Sequence, residues 1–339
     1  VSAVVPTTAM APADVIEFLV VSGLTDAATD LSVEPLGGGV SSDIWLVRDG
    51  ATRWVVKSPL AELRVTDDWQ APVERSRSEA HWLRTIGRLV PGSCPEVLAY
   101  DDDRHLLALS YLAPEEHLLW KDELLAGRMD VAVAAAVGDR LGQIHRLTSL
   151  EAGLADEFAT DHLFVPLRVE PYFERVAQRY PRLGDSIRAV VDRTMSSKFA
   201  LVHGDVSPKN ILLGPDGPVF LDAETAWWGD PAFDVAFCIN HLLLKSLLAG
   251  HDPGVHAAAV EALFEAYVDH VTWEDRTQLE SRVAALLPAL LLARVDGRSP
   301  VEYLDADSRT VVRRFTVPRL VESPRGLSEL LHDWTEALA

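Results

Sequence analysis

Three oxygen-bearing side chains stand at spacings that suit phosphoryl transfer. The stretch His203-Gly204-Asp205-Val206-Ser207-Pro208-Lys209-Asn210 puts a carboxylate and an amide five residues apart on one loop. Apolar Ile211-Leu212-Leu213 follows, and the strand-like Val219-Phe220-Leu221 ends in Asp222, twelve residues after the amide. In transfer from ATP, one acid accepts or orients the proton of the attacking hydroxyl. An amide oxygen and a second acid hold magnesium on the phosphates. Asp205 is therefore the expected catalytic residue, and Asn210 and Asp222 the expected ligands of Mg2+, a hard ion that prefers oxygen. The plainer alternative for Asp205 is a loop aspartate capping local N–H groups. His203 is expected to fix the loop through the backbone rather than to catalyse.

A second set lies nearer the N-terminus. Gly37-Gly38-Gly39-Val40-Ser41-Ser42 sits between two strand-like runs. Its N–H groups can drape over a triphosphate, because glycines let the chain approach closely; otherwise it is simply a turn. Gly37, Gly38, Gly39, Ser41 and Ser42 are the candidates there. Lys57 ends Trp54-Val55-Val56-Lys57, an apolar run that would normally exclude a charge. Either it snorkels to solvent, or it bridges the α- and β-phosphates and is held by an acid on the next helix. Glu79 is the expected partner, with Glu74 the alternative. By order along the chain alone, backbone groups at Ser110 and Leu112 are expected to meet the adenine.

The elements that must position these groups fall into two parts. Residues 12–22 have helical periodicity, with Val15, Phe18 and Leu19 on one face. Strands are expected up to Leu36, over Ile44–Val47 and over Arg53–Lys57, with a hairpin turn at Arg48-Asp49-Gly50. A helix is expected from Glu74 to Leu89, then strands over Glu96–Tyr100 and His105–Ser110. After Pro114 the pattern is mostly helical, apart from the block at 199–222, and a closing amphipathic helix is expected from about 318. The expected architecture is α+β and two-lobed: an antiparallel, nucleotide-binding lobe over 1–112, and a larger helical lobe over 113–339 with the catalytic loop and substrate site.

Composition narrows the function. A chain of 339 residues exceeds the usual single core. A formal charge of −20 argues against general nucleic-acid binding. Two cysteines, Cys94 and Cys238, cannot form a disulfide framework and are expected to be core thiols. No apolar run suits a membrane span and no secretory signal is visible, so a cytoplasmic monomer or homodimer is expected.

These elements together resemble the aminoglycoside phosphotransferase and choline kinase group, within the protein-kinase-like fold. The carrying residues are Gly37–Ser42, Lys57, Glu79, His203-Gly204-Asp205 with Asn210, and Asp222 through Asp234. The resemblance implies ATP, Mg2+ and a hydroxyl on a small molecule. Gly204 stands where protein kinases usually have Arg, Ala223-Glu224 replaces Phe-Gly, and no Ala-Pro-Glu segment follows. Asp222-Ala223-Glu224-Thr225-Ala226-Trp227-Trp228-Gly229, with Phe233-Asp234, is also similar to methylthioribose kinase.

Acceptor candidates are less specific. Glu224 either assists the metal through water, faces the substrate, or is structural. Trp227 and Trp228 either wall the acceptor site or pack between lobes. Asp234 is a helix cap or a brace for the catalytic loop. Arg294 and Arg298 either reach the acceptor, favouring an anionic or richly hydroxylated one, or cap a helix C-terminus. The expected activity is phosphorylation of a sugar, sugar-like metabolite or amino alcohol. The alternatives are an antibiotic phosphotransferase and a catalytically silent nucleotide-binding protein.

Overall fold

The computed structural model describes residues 10–26, 30–37, 41–64 and 69–338. Helix α1 (Pro12–Val21) precedes strands β1 (Ser32–Pro35), β2 (Ser42–Asp49) and β3 (Thr52–Pro59). Helix α2 (Arg75–Leu89) leads to β4 (Val97–Asp101) and β5 (Leu106–Ser110). The five strands form one antiparallel sheet in the order β1-β2-β3-β5-β4. Alternation along β3 sorts its side chains by face. Trp54 and Val56 join Val15, Phe18 and Leu19 of α1 in a small core, while Val55 and Lys57 face the opposite side.

The remainder is mostly helical. After the two-residue strand β6 (Leu118–Leu119) come α3 (Trp120–Leu125), α4 (Val131–Ser149) and the short α5 (Leu154–Glu157) and α6 (Asp161–Phe164). Val165–Glu174 is wound as a π-helix with Pro166 and Pro171 inside it, followed by α7 (Arg175–Arg179) and α8 (Gly184–Ser196). Short strands follow: β7 (Ala200–Val202), β8 (Ile211–Gly214), β9 (Gly217–Phe220) and β10 (Trp227–Gly229). Helices α9 (Pro231–Lys245), α10 (Pro253–Val268), α11 (Arg276–Asp296), α12 (Ala306–Val321) and α13 (Leu327–Leu338) complete the chain. The closing helix begins at Leu327, not near 318, because α12 continues through Pro318 to Val321.

One large apolar core runs from the inner face of α2, through Leu83 and Ile86, into α4, α9 and α11. Helices α4 and α10 approach closely at Gly138, where a Cβ would stand 2.0 Å from the Leu263 carbonyl oxygen. Among the described residues no helix is long and apolar enough to cross a membrane.

Candidate active site

Strand β7 feeds the loop that begins at His203, and β10 pairs with β7 on its way to α9. Asp230 caps α9, accepting from Ala232 N–H at 3.0 Å. That leaves Asp234 as the brace: its carboxylate accepts from the N–H groups of His203 (2.7 Å) and Gly204 (2.8 Å). His203 Nδ1 accepts from Asp205 N–H at 3.1 Å, and Nε2 lies 3.0 Å from the Leu221 carbonyl. Burial lowers its pKa against the pull of Asp234, so the imidazole is neutral and holds the loop at both nitrogens. Gly204 has φ +79°, and a Cβ there would lie 2.6 Å from Thr225 Oγ1 and 2.7 Å from Thr225 O. Only glycine fits.

Asn210 ends a short turn over Pro208–Asn210, after which β8 and β9 pair with Ile211 opposite Phe220. Leu221 N–H donates to Asn210 O at 2.9 Å, extending the ladder one step, so Asn210 and Asp222 become neighbours. Asp222 has φ +69°, a region few residues with a Cβ enter. Such backbone clusters at functional sites.

Asp205 is buried and surrounded by donors to one oxygen. Its Oδ2 accepts from Asn210 Nδ2 at 2.9 Å and lies 3.0 Å from Lys209 Nζ and 3.2 Å from Arg168 Nη2. Burial acts against its charge, but Lys209 and Arg168 outweigh burial and lower its pKa. The acid is therefore ionised, with Oδ1 making none of these contacts. Neither Arg168 nor Lys209 stands out in the sequence. The available signal for Arg168 is a lone cation inside the apolar run 163–173, which the π-helix turns toward Gly204 O.

Lys57 Nζ lies 2.6 and 2.8 Å from the two oxygens of Glu79 and 2.7 Å from Asp222 Oδ1. Glu74, the alternative partner, is exposed at the start of α2. Burial disfavours both charges of the Lys57–Glu79 pair, yet Asp222 and Glu79 raise the lysine pKa above its ordinary value. At Asp222 burial is likewise overcome, chiefly by Lys57 and Lys209, and its carboxyl pKa is lowered. Oxygens of Glu79, Asp222 and Glu224 all lie within 4.8 Å of one another. Lys57 bonds the first two and Arg75 the third.

A cleft of about 780 Å³ joins these groups. It is lined by Gly37, Ser41, Ser42 and Lys57 on the sheet side, and by Asp205, Asn210 and Asp222 on the helical side. Gly38 and Gly39 lie outside the described residues. Ser110 lines the cleft with Leu112, but its N–H donates to Glu96 O and its hydroxyl accepts from Glu96 N–H, both at 2.9 Å. Arg294 lines the far end.

Three acceptor candidates are corrected. Trp227 is fully buried, stacked on Phe164 with ring centroids 4.0 Å apart, because pairing of β10 with β7 turns it into the helical core. Trp228 is half-buried, donates its N–H to Phe158 O at 2.8 Å, and does not line the cleft. Arg298 is also absent from the lining; its N–H bonds Pro171 O at 2.9 Å. Glu224 lines the cleft, but its oxygens are engaged by Ser42 Oγ (2.7 Å) and Arg75 Nε (2.9 Å), a bracing role.

The donor set fits Mg2+. Asn210 uses its amide nitrogen on Asp205, leaving Oδ1 for a cation, and Asp222 uses Oδ1 on Lys57, leaving Oδ2. Both are hard oxygen donors.

Fold and site together define a two-lobed protein of the protein-kinase-like class. Residues 32–267 match the phosphotransferase enzyme family, and the chain belongs to it. Over 254 aligned positions it is 26% identical to methylthioribose kinase of Pectobacterium carotovorum subsp. carotovorum, covering 66% of this chain and 62% of that one. The chain thus spans less than two thirds of that relative's length. It is similar in fold to a putative aminoglycoside phosphotransferase from Ralstonia eutropha (TM-score 0.56, 14% identical, covering 95% of this chain and 97% of that one). It is also similar to a choline/ethanolamine kinase family protein from Mesorhizobium loti (TM-score 0.54, 17% identical, covering 96% and 99%).

Proposed function

We propose that this chain transfers the γ-phosphate of ATP, with Mg2+, to a hydroxyl of a small molecule, a sugar or sugar-like metabolite above all. Residues 1–112 act as the nucleotide lobe and 113–339 as the acceptor lobe. The observation that carries this reading is the 2.7 Å contact of Lys57 Nζ with Asp222 Oδ1. It brings the lysine of the sheet to the ladder on which Asn210 and Asp222 are neighbours. The sugar preference is supported by the methylthioribose kinase relative.

Asp205 accepts the proton of the acceptor hydroxyl as its oxygen bonds to Pγ and the bond from Pγ to the β-bridging oxygen breaks, releasing ADP. Asn210 and Asp222 would hold Mg2+, which when bound neutralises charge on the phosphates. Lys57, oriented by Glu79, pairs with the α- and β-phosphates. Lys209, beside Asp205, can meet the γ-phosphate as it transfers. Of the two adenine candidates, Ser110 has its N–H engaged with Glu96, so in this reading the backbone of Leu112 meets the adenine.

The test is a coupled ADP-release screen over sugars, methylthioribose, choline, amino alcohols and aminoglycosides. Turnover with at least one acceptor, abolished in Asp205→Ala, is expected. Tight MgATP binding with no turnover across the panel would instead favour a silent nucleotide-binding protein.

A further inference from the structure

The acceptor end of the cleft carries more positive charge than its own acids engage. Arg168 and Lys209 flank Asp205, and Lys121 Nζ donates to Glu302 at 2.7 Å. Among the described residues two buried cations form no ion pair with a carboxylate: Arg294, which lines the cleft, and Lys245, which does not line it but feels the charge of Arg294. Asp122, the remaining acid lining that part of the cleft, pairs with neither.

Arg294 is only 8% exposed yet lines the cleft. Its Nη1 bonds Tyr172 Oη at 3.2 Å, Ser299 Oγ at 3.1 Å and the Ser299 carbonyl. Bonding that carbonyl is the expected use of a cation near a helix C-terminus, and it accounts for Nη1 alone. Nε is buried with no hydrogen-bond partner. Lys245 is 1% exposed, one helical turn beyond His241, which lines the cleft. Its Nζ sits 4.6 Å from the Tyr303 ring centroid, and Tyr303 Oη is itself buried without a partner. Burial, with repulsion from Lys121 and Arg294, lowers the Lys245 pKa to about 7.

A buried cation without a counter-ion costs several kcal/mol, roughly, and an unpaired buried donor about 1–3. In a chain of net charge −20 acids are plentiful, yet the two that line this end, Asp122 and Glu302, form no ion pair with either group; Glu302 bonds Lys121 and reaches Arg294 and Lys245 only through its field.

We propose that the acceptor carries, besides its hydroxyl, an anionic group, a carboxylate or a phosphate ester, held by Arg294 within the field of Lys245 and Lys121. This rests on the cleft being a phosphotransfer site and names the class of its acceptor. A guanidinium is suited to either anion because its planar N–H groups match paired oxygens. The same cations repel ammonium-bearing acceptors such as aminoglycosides and choline.

The experiment compares acceptors matched in skeleton and differing in charge. One set is glucose, glucosamine, gluconate and glucose 6-phosphate. The other is glycerol, 3-amino-1,2-propanediol, glycerate and glycerol 3-phosphate. Each is scored by ADP release and by the rise in Tm of the MgADP-bound protein. An anionic member of at least one set should exceed its neutral and cationic counterparts about tenfold in kcat/KM or apparent affinity, roughly 1.4 kcal/mol. The carboxylate and phosphate arms distinguish the two anions. Arg294→Gln should erase the preference, raising KM far more than it lowers kcat; Lys121→Gln, at a more exposed site, should weaken it. The proposal is overturned if neutral or cationic members do as well, if no anion shifts the Tm, or if the preference survives Arg294→Gln. The Tm shift by MgADP alone reports separately on the nucleotide site, so loss of the kinase reading is distinguishable from loss of this one.

Discussion

Arg75 Nε and Glu224 Oε2 lie 2.9 Å apart with both side chains buried, and this pair ties the two halves of the cleft together. Arg75 also donates to the carbonyls of Ser41, Leu60, Ala71 and Pro72, while Glu224 Oε1 accepts from Ser42 Oγ. The start of β2, the entry to α2 and the loop after Asp222 are therefore one hydrogen-bonded unit. Removing the acid leaves a buried guanidinium with no counter-charge. Glu224→Ala should cost about 3–5 kcal/mol of unfolding free energy. The double variant with Arg75→Met should lose less than the sum of the singles, as a denaturation cycle will show. Additive losses would mean the pair is incidental.

Asp205 and Asp222 should fail differently. Asp205→Asn keeps an oxygen to accept from Asn210 but cannot take a proton. Its kcat should fall about 10²–10⁴-fold while MgATP binding is nearly unchanged. Asp222→Asn tolerates the same backbone, since Asn also enters positive φ. It should fold normally yet lose the magnesium dependence of ADP affinity, measured by titration calorimetry with and without Mg2+. Equal loss of nucleotide affinity in both variants would contradict the division of roles.

What was legible in the sequence was local. The loop from His203 to Asn210 and the strand ending in Asp222 lie close along the chain, so spacing alone predicts their convergence. Lys57 and Glu79 are separated by one helix approach, and an acid on the buried face of α2 was a short inference. The Ser42–Glu224 bond spans 182 residues, and no local pattern announces it. Trp227 misled because adjacent aromatics after a metal-binding acid suggest a wall, whereas pairing of β10 with β7 decides which way they turn. Arg168 was hidden by Pro166 and Pro171, which break helical periodicity where the π-helix forms.

Gly204 sets a steric limit on the loop that carries Asp205. Gly204→Ala meets strain from φ +79° and the contact with Thr225. The loss should be about 1–3 kcal/mol or more, with activity falling as the Asp205 loop shifts. Thr225→Ala should not rescue it, because the Thr225 carbonyl oxygen at 2.7 Å remains. Rescue would show that the hydroxyl alone closes the space. Chemical denaturation and ADP release on the single and double variants check both points.

Lys245 makes stability and acceptor binding pull in opposite directions with pH. Around it stand Lys121 and Arg294, which repel its charge, and Glu302, which favours it, with Tyr303 beneath. The unfolded chain keeps the proton up to its ordinary pKa of 10.5, whereas the folded one releases it near 7. Between these values the unfolded state binds more protons, so this group's contribution to stability rises with pH, and below pH 7 the full cost of the buried charge is present. Lys245→Met should therefore raise the Tm most at pH 6, by the equivalent of about 1–3 kcal/mol, with the advantage shrinking toward pH 9. An anionic acceptor draws the proton back, so in the wild type its KM should rise as pH climbs above 7, and in Lys245→Met that rise should be absent. Thermal scans and acceptor KM from pH 6 to 9 measure both. A variant less stable than the wild type at pH 6 would mean that Lys245 has found a counter-charge in the fold itself.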